Sequence, residues 1–170
     1  MPADVLKAFP LGPKRPVADD RDKARTPMQW SSGPGAGFST GASWLPVDST
    51  ASVRNVELAK KDPDSVYNWY AKLIKLRKSH SALRDGAYVP LDSGNSKVFA
   101  FGRIDAKGQA VLVALNTTDT EQAVTISGWP AGIAAQGTAL MASPATDARE
   151  FGQFKLPAFG VVISALDRQR

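Results

Sequence analysis

The stretch KVFAFGRIDAKGQAVLVAL, residues 97–115, predicts the fold of the second half of the chain. In residues 97–103 the apolar side chains alternate between two faces, as the period of a β-strand requires. Residues 109–115 are apolar almost throughout, which is typical of a strand that is buried on both faces. Between them, residues 105–108 (D-A-K-G) are typical of a hairpin turn. The stretch therefore predicts two antiparallel strands joined by a tight turn.

Further short strand patterns follow this predicted hairpin, and Gly, Pro and Asn residues separate them. They cover residues 122–127, 139–142 and 160–166. Several short strands at such spacing are typical of an antiparallel sandwich. We therefore expect a mainly β fold, in which residues 85–170 form a C-terminal antiparallel β-sandwich domain.

One long amphipathic helix is predicted ahead of the sandwich, over residues 62–80, within a section that spans residues 61–84. Asp62 can cap its N-terminus, and Pro63 suits the first helical position. Its last turns contain basic residues, which the negative C-terminal end of the helix dipole favours. The sandwich can cover only part of its apolar stripe, so the rest needs another partner surface. The stripe follows helical spacing through Val66, Trp69, Tyr70, Leu73 and Leu76.

Residues 1–60 show neither strand alternation nor a helical stripe, so we predict an irregular N-terminal segment. Prolines and glycines interrupt it at a density that disfavours regular structure. A connection of this length is also far longer than the usual loop. Trp30, Phe38 and Trp44 are atypical of disorder, because disordered segments are poor in aromatic residues. The alternatives are a disordered segment or a set of loops that lies on another surface.

Composition excludes several kinds of functional site. The chain has no cysteine, which excludes disulfides, cysteine zinc sites and thiol nucleophiles. Its single histidine, His80, follows the predicted helix and lacks the partners of a metal site or a catalytic dyad. The acidic residues around Asp22 lie in the irregular segment, which cannot by itself hold two carboxyl groups rigidly across a sugar bond. We therefore predict no catalytic residue, metal site or cofactor within this chain.

Charge and hydropathy limit the expected partners. The net charge is +5, and the excess of basic residues falls within residues 54–84. No Gly-rich phosphate loop or basic strand with interleaved aromatics accompanies it, so we interpret it as a solvated helix face rather than a nucleic-acid site. No segment approaches the ~20 apolar residues of a membrane helix, and the N-terminus lacks the apolar core of a signal peptide. We expect a cytoplasmic protein without a membrane or nucleic-acid partner.

Three stretches, in this order, resemble the C-terminal third of the alpha-amylase superfamily, glycoside hydrolase family 13. They are RDKARTPMQW (residues 21–30), AGFSTGASWLPV (residues 36–47) and NVELAKKDPDSVYNWYAKLIKLRKSHSALRDG (residues 55–86). The similarity is greatest to the branch of oligo-1,6-glucosidases, alpha-glucosidases and trehalose synthases. It is strong over residues 20–127 and looser through the final strands.

The resemblance implies a TIM barrel that is followed by a C-terminal antiparallel sandwich. The R-T-P-M-Q-W run would follow the last barrel strand and fold over the catalytic face, and residues 62–80 would be the last barrel helix. By the same resemblance, Arg25 helps to bind the non-reducing-end glucose and Asp22 positions the loop. Two positions depart from the family pattern, because Ser31 stands where Asp is usual and Gly35 where Asn is usual.

The family's catalytic nucleophile and its acid/base lie in barrel strands that match no part of this sequence. The resemblance therefore implies a truncated or separately encoded C-terminal piece of an alpha-glucosidase-like enzyme, which would be inactive alone. One alternative is a stand-alone sandwich that binds alpha-glucan oligosaccharides through Trp129 or through Trp30 and Trp44. Another is an assembly protein, in which the face of the helix over residues 62–80 forms a homodimer or docks a barrel partner. Trp129 itself either stacks on sugar or caps the sandwich core.

Overall fold

The computed structural model describes residues 25–146 and 148–169. The boundary between two compact units falls between Lys72 and Leu73. Two 3₁₀ turns, Pro34–Gly37 and Ser49–Ser52, precede the regular elements. The helices are α1 (Val56–Lys61), α2 (Val66–Ser79) and α3 (Ser81–Asp85), and the strands are β1 (Ala87–Pro90), β2 (Val98–Ile104), β3 (Ala110–Asn116), β4 (Gln122–Thr125), β5 (Ile133–Ser143), β6 (Gln153–Leu156) and β7 (Val161–Arg168).

The strands form two antiparallel sheets, which confirms the mainly β sandwich predicted from the sequence. One sheet is five-stranded in the order β1-β2-β3-β7-β5, and the other pairs β4 with β6. The predicted hairpin lies within the larger sheet, where β2 and β3 pair from Val98 opposite Asn116 to Ile104 opposite Ala110. Its turn is fixed by Asp105, whose side chain accepts the amide hydrogens of Lys107 and Gln109 at 2.9 and 2.8 Å.

Strand β3 is buried on both faces because it lies between two apolar clusters. Leu112 and Ala114 point into the first cluster, which residues of both sheets share. Val111 and Val113 point into the second cluster, which the C-terminal half of α2 and helix α3 help to form. Each fully buried aliphatic side chain of this size contributes about 1.5–3 kcal/mol. The first cluster holds Val98, Ala100, Leu112, Ala114, Val124, Ile126, Phe151, Leu156 and Val162.

The long helix is confirmed, but it begins at Val66 rather than at Asp62. The hydroxyl of Ser65 accepts the amide hydrogen of Asn68 at 3.2 Å, as an N-terminal cap does. Asp62 instead ends the preceding helix α1, where its amide donates to the carbonyl of Leu58 at 3.2 Å. The Asp-Pro pair therefore belongs to the turn between two helices.

Only part of the predicted apolar stripe is covered. Leu73 and Leu76 are half-buried and pack against the second cluster of the sandwich. Val66 and Tyr70 are 73% and 61% exposed.

None of the helices in residues 25–146 and 148–169 is long and apolar enough to cross a membrane.

Several elements differ from the sequence-based expectation. Helix α1 lies mostly within the segment predicted to be irregular, and strands β1 and β6 were not predicted. Strand β5 is much longer than the predicted residues 139–142, because two register shifts against β7 interrupt its alternation. The division of the chain at residues 60 and 84 stays a prediction.

Candidate functional site

The R-T-P-M-Q-W loop is fixed by the N-terminus of helix α1. The carbonyl of Gln29 accepts the amide hydrogen of Val56 at 2.9 Å, and the carbonyl of Trp30 accepts that of Glu57 at 3.0 Å. The first amides of a helix have no partner within the helix. The loop satisfies two of them, so it gains a defined course although it has no regular structure of its own.

Asn55 organises this junction from a buried position, with 8% of its surface exposed. Its side-chain oxygen accepts the amide hydrogen of Leu58 at 2.9 Å, as an N-terminal cap does. Its side-chain nitrogen donates to the carbonyl of Ala51 at 2.8 Å. One side chain therefore joins the first turn of α1 to the preceding 3₁₀ turn.

A left-handed turn closes the other side of the loop. Gly35, Ala36 and Gly37 have φ angles of +58°, +54° and +67°, and the carbonyl of Ala36 accepts the amide hydrogens of Trp30 and Ser31 at 2.9 and 3.0 Å. A Cβ atom on Gly37 would lie 2.8 Å from the Ser31 hydroxyl, whereas one on Gly35 would meet nothing within 4 Å. Both Gly and Asn tolerate this backbone region. The Gly35 departure from the family pattern therefore preserves the turn.

Side chains also join helix α1 to the beginning of helix α2. The side-chain nitrogen of Asn68 donates to the carbonyls of Ala59, Lys60 and Asp62 at 3.1, 3.2 and 2.7 Å. The hydroxyl of Ser65 donates to the carbonyl of Ala59 at 2.6 Å. These bonds satisfy the last carbonyls of α1, which have no partner within that helix.

Several large apolar side chains of the first compact unit, which ends at Lys72, remain open to solvent. We call them the exposed apolar set. Exposed fractions near or above one half are unusual for so many large apolar side chains in so short a segment. The set comprises Met28 (50%), Trp30 (50%), Phe38 (51%), Val66 (73%) and Tyr70 (61%).

The sugar-binding roles predicted for Arg25, Asp22 and Trp129 stay predictions. Arg25 is exposed at the start of the described chain, and Asp22 lies outside the described residues. Trp129 is half-buried against the first core cluster, and its ring nitrogen donates to the carbonyl of Ile126 at 3.1 Å. These contacts agree with the core-capping alternative, whereas sugar stacking by Trp129 stays a prediction.

Among the described residues, the ring of His80 forms hydrogen bonds only with the hydroxyl of Ser79 and the carbonyl of Leu76, through its Nδ1 atom at 3.0 and 3.2 Å. Neither contact is a catalytic carboxylate. Across residues 25–146 and 148–169, no group of three or more His, Cys, Asp or Glu side chains could hold a metal ion.

Comparisons of sequence identify two matched regions. Residues 13–86 match the catalytic domain of alpha-amylase, and residues 95–164 match the C-terminal immunoglobulin-like domain of D-apionate lactonase. The probable oligo-1,6-glucosidase 2 of Bacillus subtilis is 42% identical over 76% of this chain and 21% of its own length. The glucan 1,6-alpha-glucosidase of Streptococcus pneumoniae is 40% identical over 70% of this chain and 22% of its own length. The chain thus spans about a fifth of the length of these curated relatives.

Solved structures agree with the sequence matches. The trehalulose synthase from Pseudomonas mesoacidophila MX-45 is similar over 86% of this chain and 26% of its own, with a TM-score of 0.73 and 33% identity. The isomaltulose synthase from Erwinia rhapontici NX5 is similar over the same shares, with a TM-score of 0.72 and 28% identity. The second of these structures is of a mutant in complex with D-glucose.

Proposed function

Because the chain belongs to the alpha-glucosidase branch of glycoside hydrolase family 13 and corresponds to its C-terminal region, we propose that it works as one portion of an alpha-glucosidase. This portion supplies the R-T-P-M-Q-W loop, the last barrel helix and the sandwich, and it does not hydrolyse glycosides without a barrel. The observation that carries the proposal is the ordered loop, which helix α1 holds in place next to an apolar set that is left exposed.

The pKa shifts of two described carboxyl groups, those of Asp48 and Glu57, fit the proposed lack of activity. The pKa of Asp48 is lowered by hydrogen bonds from the hydroxyl and amide of Thr50, and the pKa of Glu57 is lowered by its hydrogen bond from Lys61. A glycosidase needs one carboxylic acid with a raised pKa to protonate the leaving oxygen. Both groups are shifted in the wrong direction for that role.

Arg25 is the residue that we assign to substrate binding. Its guanidinium offers five N–H donors, which suit the hydroxyl groups of a terminal glucose. The names of the relatives point to alpha-1,6-linked glucose as the substrate. Within the proposal, Arg25 binds this glucose only when a barrel supplies the nucleophile and the acid/base.

The exposed apolar set is the surface that we assign to the barrel. Burial of apolar area contributes about 25 cal/mol per Å² removed from water, so covering five large side chains gives a strong drive toward association. The alternative partner is a second copy of this chain. A cytoplasmic location is part of the same proposal, and fractionation of native cells tests it.

Hydrolysis by the purified chain tests the proposal directly. Incubation with p-nitrophenyl alpha-glucoside and with isomaltose should release no more product than a blank without protein. Turnover that scales with chain concentration and disappears in Arg25→Ala would overturn the proposal. The variant separates activity of this chain from that of a contaminating glucosidase.

A further inference from the structure

An open cleft of about 580 Å³ lies in the sandwich unit, at the place where β1 ends and the chain enters β2. It is lined by the start of β2 and by the arch formed by residues 91–96. Its lining includes the aromatic side chains of Tyr88 and Phe99 and the polar side chains of the arch. Ligand sites commonly have a volume of roughly 300–1,000 Å³ and combine aromatic rings with a few polar groups.

Two aromatic rings of the cleft are exposed yet held in place. Tyr88 and Phe99 are each 54% exposed. The Tyr88 ring stacks on Phe101 with centroids 5.5 Å apart, and the Phe99 ring lies tilted against the same residue at 5.4 Å. Phe101 is half-buried in the second core cluster. The core therefore fixes a platform whose outer rings are open to a ligand.

The polar arch opposite the rings is also rigid. One oxygen of Asp92 accepts the amide hydrogen of Gly94 at 2.8 Å. The side-chain nitrogen of Asn95 donates to the carbonyl of Ala123 at 3.0 Å and to the side-chain oxygen of Gln122 at 3.1 Å. The hydroxyl of Ser93, which is 7% exposed, contacts the carbonyl of Val98 at 2.8 Å. These bonds fix the backbone that presents the remaining polar groups.

Three polar groups of the cleft have no hydrogen-bond partner among residues 25–146 and 148–169. They are the second oxygen of Asp92 and the hydroxyls of Tyr88 and Ser96. Together they offer one acceptor and two groups that both donate and accept. The lining contains one acidic residue, Asp92, and no Lys or Arg, so the cleft disfavours phosphate and carboxylate ligands.

We propose that this cleft binds a neutral oligosaccharide. A pyranose ring has an apolar C–H face that can cover an aromatic ring, and its hydroxyls can pair with the three unused polar groups of the arch and of Tyr88. An open cleft leaves room for a chain of sugars to continue beyond the platform. The choice of alpha-linked glucose oligomers as the ligand rests on the proposed function, whereas the site rests on the geometry alone.

Titration of the purified, ¹⁵N-labelled chain with isomaltotriose and with maltotriose tests the site. We expect saturable amide shifts at Gly94, Asn95 and Ser96 at millimolar sugar, with calorimetry giving the affinity. Tyr88→Ala and Phe99→Ala should each weaken binding about tenfold or more, and thermal unfolding checks that both variants fold. Phe159→Ala is the matched control, because it removes a different aromatic side chain of the sandwich, 68% exposed, and should leave binding unchanged.

The remaining outcomes test the existence of the site and the identity of its ligand separately. No shift at millimolar sugar, or shifts that both ring variants preserve, overturns the proposal and leaves the test by hydrolysis untouched. Equal binding of cellotriose overturns the assignment to alpha-linked glucose. If the cleft binds tetramethylammonium but no sugar, and Asp92→Asn abolishes that binding, the ligand is a cation. That result overturns the proposal of a neutral ligand. Asn at position 92 keeps an acceptor for the Gly94 amide, so the arch retains its shape in that variant.

Discussion

The carbonyl oxygen of Trp30 accepts the amide hydrogen of Glu57 at 3.0 Å, and this bond joins the motif loop to the first turn of helix α1. The R-T-P-M-Q-W motif therefore depends on a helix that begins only at Val56. Both partners lie within the same compact unit. The geometry of the loop can thus be tested in this chain, whether or not a barrel is present.

We expect Asn55→Ala to loosen the loop, because it removes the cap of α1 and the bond to Ala51 together. The loss of an N-terminal cap costs about 0.5–2 kcal/mol. Hydrogen exchange at the Leu58 amide should speed up in this variant. Asn55→Asp keeps the acceptor and loses only the donor, so it should fall between the wild-type chain and Asn55→Ala. Equal protection in all three would contradict the role of Asn55.

The two glycines of the left-handed turn should respond differently to alanine. Gly37→Ala combines a left-handed backbone with a Cβ only 2.8 Å from the Ser31 hydroxyl, whereas Gly35→Ala has the backbone cost alone. That cost is about 1–2 kcal/mol, so Gly37→Ala should destabilise the unit by more. Gly35→Asn should be close to neutral. Denaturant midpoints read by tryptophan fluorescence check the order, and equal losses for Gly35→Ala and Gly37→Ala would refute it.

The central position of β3 predicts a large loss of stability for Leu112→Ala. Leu112 has 0% of its surface exposed in the cluster between the sheets, and such truncations cost about 2.7–5 kcal/mol. Val53→Ala is a suitable control, since Val53 is 69% exposed and surface changes stay within about 0.5 kcal/mol. Urea unfolding followed by far-ultraviolet circular dichroism measures both. A loss of similar size in the two variants would argue against the two-cluster core.

Stability should decrease in acid partly because of Asp105. Its pKa is lowered, first by the hydrogen bond from the Ser81 hydroxyl and further by the amides of Gln109 and Lys107. A carboxyl group whose pKa falls on folding stabilises the fold above its unfolded pKa, and this contribution is lost as pH falls through the folded value. The loss should begin below about pH 4.

Ser81→Ala removes the largest cause of this shift, so its stability should depend less steeply on pH in that window. Urea midpoints measured from neutral pH down into the acid range check this expectation, and Asp105→Asn supplies the curve without the carboxyl group. Parallel curves for the wild-type chain and Ser81→Ala would show that the bond has no effect on the titration.

The central hairpin could be read from residues 97–115 because alternation, a continuous apolar run and turn residues all agree locally. The start of α2 could not, because Asp62 and Pro63 satisfy the rules for a helix start while the structure uses them to end α1. The Ser65 cap becomes visible only when the neighbouring helix is known. Short strands such as β6 depend on pairing with a distant partner, which no local pattern contains.

The candidate sites also differ in how much of them a local sequence pattern can reveal. The assignment of Arg25 came from resemblance, because nothing in its local pattern distinguishes it from other surface arginines. The cleft beside Tyr88 and Phe99 was not predicted, because it depends on the pairing of β1 with β2 and on the exit of the 91–96 arch from the sheet. A partial signal was present in the alternation of Phe99 with Ala100, which places one aromatic ring outside the core.

The central claim is tested most directly by asking whether this chain restores activity to a barrel that lacks its own C-terminal portion. The part of the Bacillus subtilis oligo-1,6-glucosidase relative that precedes its matched region is mixed with increasing amounts of this chain, and isomaltose hydrolysis is measured. That relative's own C-terminal portion serves as the positive control, and a chain with Trp30→Ala and Tyr70→Ala tests the exposed apolar set. We predict activity that rises and saturates with this chain and weakens in the double variant. Restoration by the relative's portion but never by this chain would contradict the account.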